Sequence, residues 1–259
     1  MNTDANKFPT PYTDVNQVIL TLLDNARAIL VDDFVGMYLY GSLATGDFEP
    51  GRSDIDFLIV TGRELPENIV SELKIMHKRL YECGMKWSNH LEGSYIPLDV
   101  VRKYSPTGPA WPMTNQQKFL VAHENASWVI NNDILYTRGV VITGPPLKSI
   151  IDSVSPEELK TAVLTLLRDI WSPWQHNSDK FHRDEYQSFV VLTMCRALYT
   201  LKHGSVVSKR RSAEWAIATL DKKWIELIEQ ADAWRDGDAP GNVGRTQEFM
   251  GYVFNKAGL

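Results

Sequence analysis

The chain has 259 residues, 44% of them hydrophobic, and its 27 basic against 32 acidic side chains leave a formal net charge of −5. No apolar run approaches the ~18 residues of a membrane span and no charged leader with an apolar stretch opens the sequence, so a cytoplasmic protein with no membrane partner is expected. Cys83 and Cys195 lack motif partners, which excludes a disulfide framework or zinc ribbon, and one short basic run, Lys209-Arg210-Arg211, is too little to track a nucleic-acid backbone.

Residues 1–11 read as an irregular lead-in. Thr13-Asp14 reads as the cap of an amphipathic helix, in which Val15, Val18, Ile19, Leu22, Leu23, Ala26 and Leu30 recur at helical spacing. The run Tyr38–Tyr40 reads as a strand that stops at Gly41-Ser42, a small pair that lets backbone approach a ligand closely. A loop from Thr45 to Arg52, punctuated by Gly46, Pro50 and Gly51, leads into a second strand from Asp54 through Val60. Side chains alternate along a strand, so Asp54 and Asp56 share one face while Ile55 enters a core. Two acids so close repel unless compensated. A hard divalent cation such as Mg²⁺, completed by water and phosphate oxygens, compensates them. Amides after Gly41 and the Ser42 hydroxyl are then placed to hold the outer phosphates of a triphosphate. The competing reading is a surface hairpin with solvated acids.

Gly41-Ser42, eleven residues, then Asp54-x-Asp56 resembles the signature of the nucleotidyltransferase superfamily related to DNA polymerase β. The resemblance implies that both acids carry Mg²⁺ and that a third carboxylate follows on a neighbouring strand. A helix from Pro66 to about Gly84, with Ile69, Val70, Leu73, Met76 and Leu80 apolar, separates the two strands; His77 on it reads as a packing residue. The segment Trp87–Val101 then offers Glu92 and Asp99. His90-x-Glu92 also matches half of a zinc deaminase motif, but no Pro-Cys-x-x-Cys follows. Leu91-Glu92-Gly93-Ser94-Tyr95-Ile96 resembles the corresponding strand of bacterial aminoglycoside adenylyltransferases of the streptomycin/spectinomycin type, in which this acid is the general base. That favours Glu92, as metal ligand and as catalytic base for a hydroxyl nucleophile.

Tyr104–Gln117, with Pro106, Gly108, Pro109 and Pro112, reads as a loop carrying Trp111, which either stacks on substrate or covers the core. Helical character at 133–136 and a short strand at 140–142 precede Gly144-Pro145-Pro146, the expected domain boundary. Beyond it the pattern is helical: a capped start at Ser155-Pro156-Glu157-Glu158 with the stripe Leu159, Val163, Leu166, Leu167 and Ile170, then helices over about 185–204, 213–220, 224–234 and 246–255. The expected fold is therefore an α/β (α+β) nucleotidyltransferase domain with a mixed sheet over residues 1–146, followed by an all-α helical bundle over 147–259.

Trp171, Trp174, Asp179, Asp184 and Glu185 combine aromatic and acidic groups, as a polycationic sugar requires. Val190-Val191-Leu192-Thr193-Met194-Cys195-Arg196, with Lys209 thirteen residues on, resembles the helix of the same adenylyltransferases whose Arg and Lys contact the triphosphate. The resemblance implies Trp171, Asp184 and Glu185 at the substrate, although Tyr186 stands where the family places one substrate-binding acid; Trp111 joins them if its loop reading as a stacking ring holds, and Trp171 and the acids otherwise read as core and a solvated helix start. It further implies ATP as co-substrate, Mg²⁺ as cofactor, a small-molecule aminoglycoside partner and a monomer. Adenylylation of a protein or tRNA, or nucleotide sensing without turnover, are the alternatives.

Overall fold

The computed structural model describes residues 9–115, 117–175, 184–235, 238 and 241–259, with the side chains of Asp184 and Glu185 outside that set. The chain divides into two compact units. The first comprises residues up to Phe48, Ser53–Glu124 and Asn131–Ser153; the second comprises Glu49–Arg52, Asn125–Ile130 and Val154–Leu259. The division in the chain thus falls at Ser153/Val154, a few residues beyond the Gly-Pro-Pro turn.

The first unit is built on a six-stranded sheet. Its strands are β1 (Phe34–Leu39), β2 (Ile55–Thr61), β3 (Leu91–Pro97), β4 (Trp111–Asn115), β5 (Lys118–Ala122) and β6 (Val140–Thr143), in the order β5-β4-β3-β2-β1-β6. β2 and β3 run parallel and the other neighbours antiparallel, so the sheet is mixed. A parallel pair needs a crossover. That crossover contains the long helix Glu67–Glu82, preceded in the chain by α1 (Thr13–Leu30) and the short α2 (Gly41–Thr45), and therefore α3. Met37, Leu39, Ile55, Phe57, Ile59, Leu91 and Tyr95 project from one face of the sheet into a core shared with α1 and α3, where all seven apolar positions of the α1 stripe are buried.

Two local expectations are corrected. Thr13 does not cap α1: Tyr12 is the N-cap and makes no side-chain cap bond. Instead Asn16, buried in the first turn, reaches back, donating to the Thr10 carbonyl at 2.7 Å and accepting from the Thr10 amide at 3.0 Å. The expected loop at 104–117 holds β4, and Trp111 is its first residue, buried rather than displayed on a loop. Pro112 concealed the strand. It lies outside the Met113–Asn115 stretch that pairs with β3, where its missing amide hydrogen interrupts no bond to that neighbour.

The second unit is helical. After α4 (Leu98–Val101), α5 (Ser127–Arg138) and α6 (Leu147–Ile150), α7 (Pro156–Leu166) opens on a full capping box: the Ser155 hydroxyl accepts from the Glu158 amide while the Glu158 carboxylate accepts from the Ser155 amide. α7 runs through a π-helical turn, Leu167–Trp171, into α8 (Ser172–Gln175). α9 (Asp184–His203), α10 (Lys209–Thr219), α11 (Ile225–Ala233) and α12 (Val243–Ala257) follow. α10 starts four residues earlier than expected because Ser208 caps it, accepting from the Arg211 amide at 3.2 Å, so the basic run forms the first turn of the helix. Asn242 likewise caps α12, accepting from the Arg245 amide at 3.0 Å. Among the described residues no helix is long and apolar enough to cross a membrane.

Candidate active site

At the end of β1 the backbone stays extended at Tyr40 and turns at Gly41, whose φ is +60°. Only glycine enters that left-handed region freely. There is a second reason for it here: a Cβ at position 41 would fall inside the Asp56 carboxylate. The glycine turn and the second acid of Asp54-x-Asp56 are thus packed against each other. Beside them the Ser42 hydroxyl is shielded from solvent and makes no hydrogen bond, although its carbonyl accepts from the amides of Gly46 and Asp47, each at 3.1 Å. A buried hydroxyl without a partner costs free energy that a ligand oxygen returns.

Sheet register assembles the acids. In the parallel β2–β3 pair Asp56 stands opposite Glu92, and across the antiparallel β3–β4 pair Glu92 stands opposite Asn115. Paired residues project to the same face, with Cβ atoms ~5 Å apart. The Tyr40 amide donates to the Asp56 carbonyl at 3.1 Å and brings Tyr40 into the same row. Asp54, two residues before Asp56 and just ahead of β2, is held by His90, whose Nδ1 is 3.2 Å from its Oδ1; the Trp87 ring meets His90 edge-on at 5.2 Å. Glu92 is half-buried, whereas Asp99 is exposed on α4 beyond the far end of β3. Of the two candidates for a third carboxylate, Glu92 alone is in register with Asp56.

Tyr40 is buried, and burial followed by the charges of Asp56, Glu124 and Glu92 pushes its phenol well above its usual value of 10.0. Glu124, just past β5, is therefore a further carboxylate near this row. Neither Tyr40 nor Glu124 is marked by a local motif. The signal was the register, which becomes readable only when the strands are paired. Asp54, Asp56 and Glu92 offer hard oxygen donors, the chemistry Mg²⁺ prefers. Among the described residues no three His, Cys, Asp or Glu side chains close into a ready-made metal cage. An open set of carboxylates fits an ion that keeps several waters and takes the rest of its ligands from phosphate.

Within the second unit, Arg196 is half-buried on α9 and Lys209 is the first residue of α10, its Nζ 4.1 Å from the centroid of the Phe189 ring. Trp171 is packed against Trp174 and Phe189, with centroids 5.2 Å and 5.9 Å away, and Tyr186 lies 5.8 Å from Trp174. The four rings form one aromatic wall. Trp171 is buried at its back, and Phe189, 41% exposed, is the ring it presents to solvent. The side chains of Asp184 and Glu185, and all of Asp179, lie outside the described residues. A cavity of about 370 Å³ is lined by Gln187, Val191, Leu227 and Trp234; it opens on a different side of α9 from Tyr186, Phe189 and Arg196. Trp111, buried at the start of β4, alternates onto the same sheet face as Asn115 and hence as Glu92.

A mixed sheet with a Gly-Ser turn against an Asp-x-Asp strand, in register with a third acid, defines a nucleotidyltransferase domain, and the nucleotidyltransferase domain family matches residues 23–113. The C-terminal domain of aminoglycoside adenylyltransferases matches residues 149–255. The chain thus carries a nucleotidyltransferase domain followed by the C-terminal domain of aminoglycoside adenylyltransferases, the make-up of an aminoglycoside nucleotidyltransferase enzyme. A spectinomycin 9-adenylyltransferase from Campylobacter jejuni is 28% identical over 241 residues, covering 88% of this chain and 85% of the relative. An aminoglycoside (3'') (9) adenylyltransferase from Klebsiella pneumoniae is 25% identical over 236 residues, covering 85% and 86%. The crystal structure of spectinomycin adenyltransferase AAD(9) from Enterococcus faecialis with ATP and spectinomycin has the same fold, with a TM-score of 0.72 at 16% identity over 94% of this chain and 99% of that one.

Proposed function

We propose that the chain transfers AMP from ATP to a hydroxyl of an aminoglycoside or aminocyclitol antibiotic, with Mg²⁺ as cofactor and pyrophosphate as leaving group. The observation that supports this most is the packing of the Gly41 turn against Asp56, which stands in register with Glu92, so that a donor turn lies beside hard anionic ligands. Asp54, Asp56 and Glu92 are the residues that would hold the cation, which when bound offsets phosphate charge and activates the α-phosphate to attack. The Ser42 hydroxyl and the neighbouring amides hold outer phosphate oxygens. Arg196 and Lys209 supply the cations that a triphosphate needs as charge moves to the leaving group.

Glu92 accepts the proton of the acceptor hydroxyl as its oxygen attacks the α-phosphorus. An alcohol is a weak nucleophile at neutral pH, and the oxygen gains its charge only as that proton leaves. His90 keeps Asp54 from rotating away while this happens. The aromatic wall backed by Trp171, together with Asp184 and Glu185, orients a cationic acceptor, and Trp111, buried on the same sheet face as Glu92, stiffens that face. Spectinomycin and streptomycin are the first acceptors to try, spectinomycin because it names the curated relatives.

The test is pyrophosphate release from Mg²⁺-ATP by the purified protein, with spectinomycin, streptomycin and other aminoglycosides supplied separately. Release with one drug is expected, and Glu92→Gln is expected to lower kcat by ~10²–10⁴-fold, the usual worth of a general base, while ATP still binds. ATP binding without release for any drug would refute the antibiotic acceptor and turn attention to a protein acceptor or a sensor.

A further inference from the structure

The row containing Asp56 and Glu92 has a third member to which the mechanism above gives no work. Tyr40 extends the β1–β2 ladder one step past the Leu39↔Phe57 pair through its amide bond to the Asp56 carbonyl. Tyr40, Asp56 and Glu92 consequently stand side by side on one face of three adjacent strands. Tyr38, two residues earlier and on the same face, donates its hydroxyl to the Pro145 carbonyl at 2.9 Å. Around the Tyr40 hydroxyl the neighbouring charges are carboxylates: Asp56, Glu124 and Glu92.

The chemistry of that juxtaposition is one-sided. Ionised carboxylates only accept hydrogen bonds, and a phenol at neutral pH has one proton to donate. Two carboxylates ~5 Å apart on neighbouring strands repel and turn away from each other unless a donor or cation holds them. A phenylalanine would fill the same buried volume without an oxygen to satisfy. We propose that Tyr40 is a positioning residue for adenylyl transfer, its hydroxyl donating its one proton to a carboxylate of the Asp56–Glu92 row and so easing the repulsion between the two acids that receive the metal and the acceptor hydroxyl. The inference rests on reading this site as the adenylyl-transfer centre.

Tyr40→Phe tests it by removing one oxygen and leaving the ring. Two readouts are needed: steady-state kinetics with the active drug, and Mn²⁺ affinity by electron paramagnetic resonance with a non-hydrolysable ATP analogue, which requires no turnover. Expected are a melting midpoint within about 2 °C of wild type, an acceptor KM within about twofold, kcat lower by ~10–100-fold and Mn²⁺ binding weaker by ~3–10-fold, the range for one hydrogen bond to a charged group. Wild-type kcat together with wild-type Mn²⁺ affinity in Tyr40→Phe overturns the inference. If that variant melts much lower, Tyr40→His, which retains a ring donor, is compared with Tyr40→Leu, which has none. Better Mn²⁺ binding and turnover by the His variant supports the inference, and parity overturns it. Should the wild-type protein release no pyrophosphate with any acceptor, the functional reading fails on its own, and the Mn²⁺ comparison still decides the role of Tyr40.

Discussion

Gly41 and Gly46 bound the same five-residue helix, and both have positive φ, +60° and +81°. They differ in what a side chain would meet. A Cβ at Gly46 has nothing within 4 Å, whereas at Gly41 it would occupy the space of the Asp56 carboxylate. An alanine at either position is therefore forced into the left-handed region, at about 1–2 kcal/mol. For a chain of this length that lowers the melting midpoint by roughly 2–8 °C. Gly41→Ala carries a second effect, because Asp56 has to swing away by about an ångström, and a misplacement of that size in a reacting site costs on the order of 100-fold in rate, or about 2.7 kcal/mol. The two variants, compared by thermal melting and by kcat/KM for ATP with a saturating drug, should show similar losses of stability. Activity should fall ~100-fold in Gly41→Ala and by less than about threefold in Gly46→Ala. Equal activity in the two variants would refute the claim that the glycine turn and Asp56 form one site.

Two further predictions concern stability. His77 is fully buried, bonded through Nε2 to the Tyr95 hydroxyl at 2.8 Å, and burial lowers its pKa from 6.5 to about 3. The unfolded chain binds a proton near pH 6.5 that the folded chain refuses, so stability is full above that value and falls by about 1.4 kcal/mol per pH unit below it, toward about 3. Melting curves of wild type and His77→Gln between pH 7 and 4 should differ in slope by that amount, and parallel curves would show that His77 does not stay neutral in the fold. Removing the α7 capping box with Ser155→Ala should cost about 1 kcal/mol, read as a drop of roughly 2–4 °C in the melting midpoint with turnover unchanged; an unchanged midpoint would mean that the box contributes nothing net.

Much of the site was legible from spacing alone because it is local. Asp54 and Asp56 stand two residues apart at the start of β2, and Gly41-Ser42 marks a tight turn whatever the rest of the chain does. The amphipathic stripe of α1 and the cap of α7 are equally local. What escaped was what distant segments decide. β4 was concealed by Pro112, whose missing donor matters only if the strand beside it pairs at that residue, and the pairing with β3 stops one residue short. The packing of Trp171 with Trp174 and Phe189 likewise joins residues from two helices. Tyr40 belongs to no motif at all.

The alignment of Glu92 with Asp56 shows how the distant part is encoded. A slip of β3 by one residue against β2 would turn Glu92 to the α1/α3 side of the sheet and leave a carboxylate in an apolar core. The residue beside Glu92 opposes that slip. Gly93 stands opposite Phe57, and a Cβ there would overlap both the Phe57 carbonyl and its ring. In the observed register the position opposite Phe57 has no room for a side chain, so the pairing Phe57↔Gly93 favours Asp56↔Glu92 one step away. A glycine that looks like a flaw in a strand is then the element that sets the spacing of the carboxylates, and chemistry thirty-six positions apart in sequence comes into one row through a residue that carries no functional group.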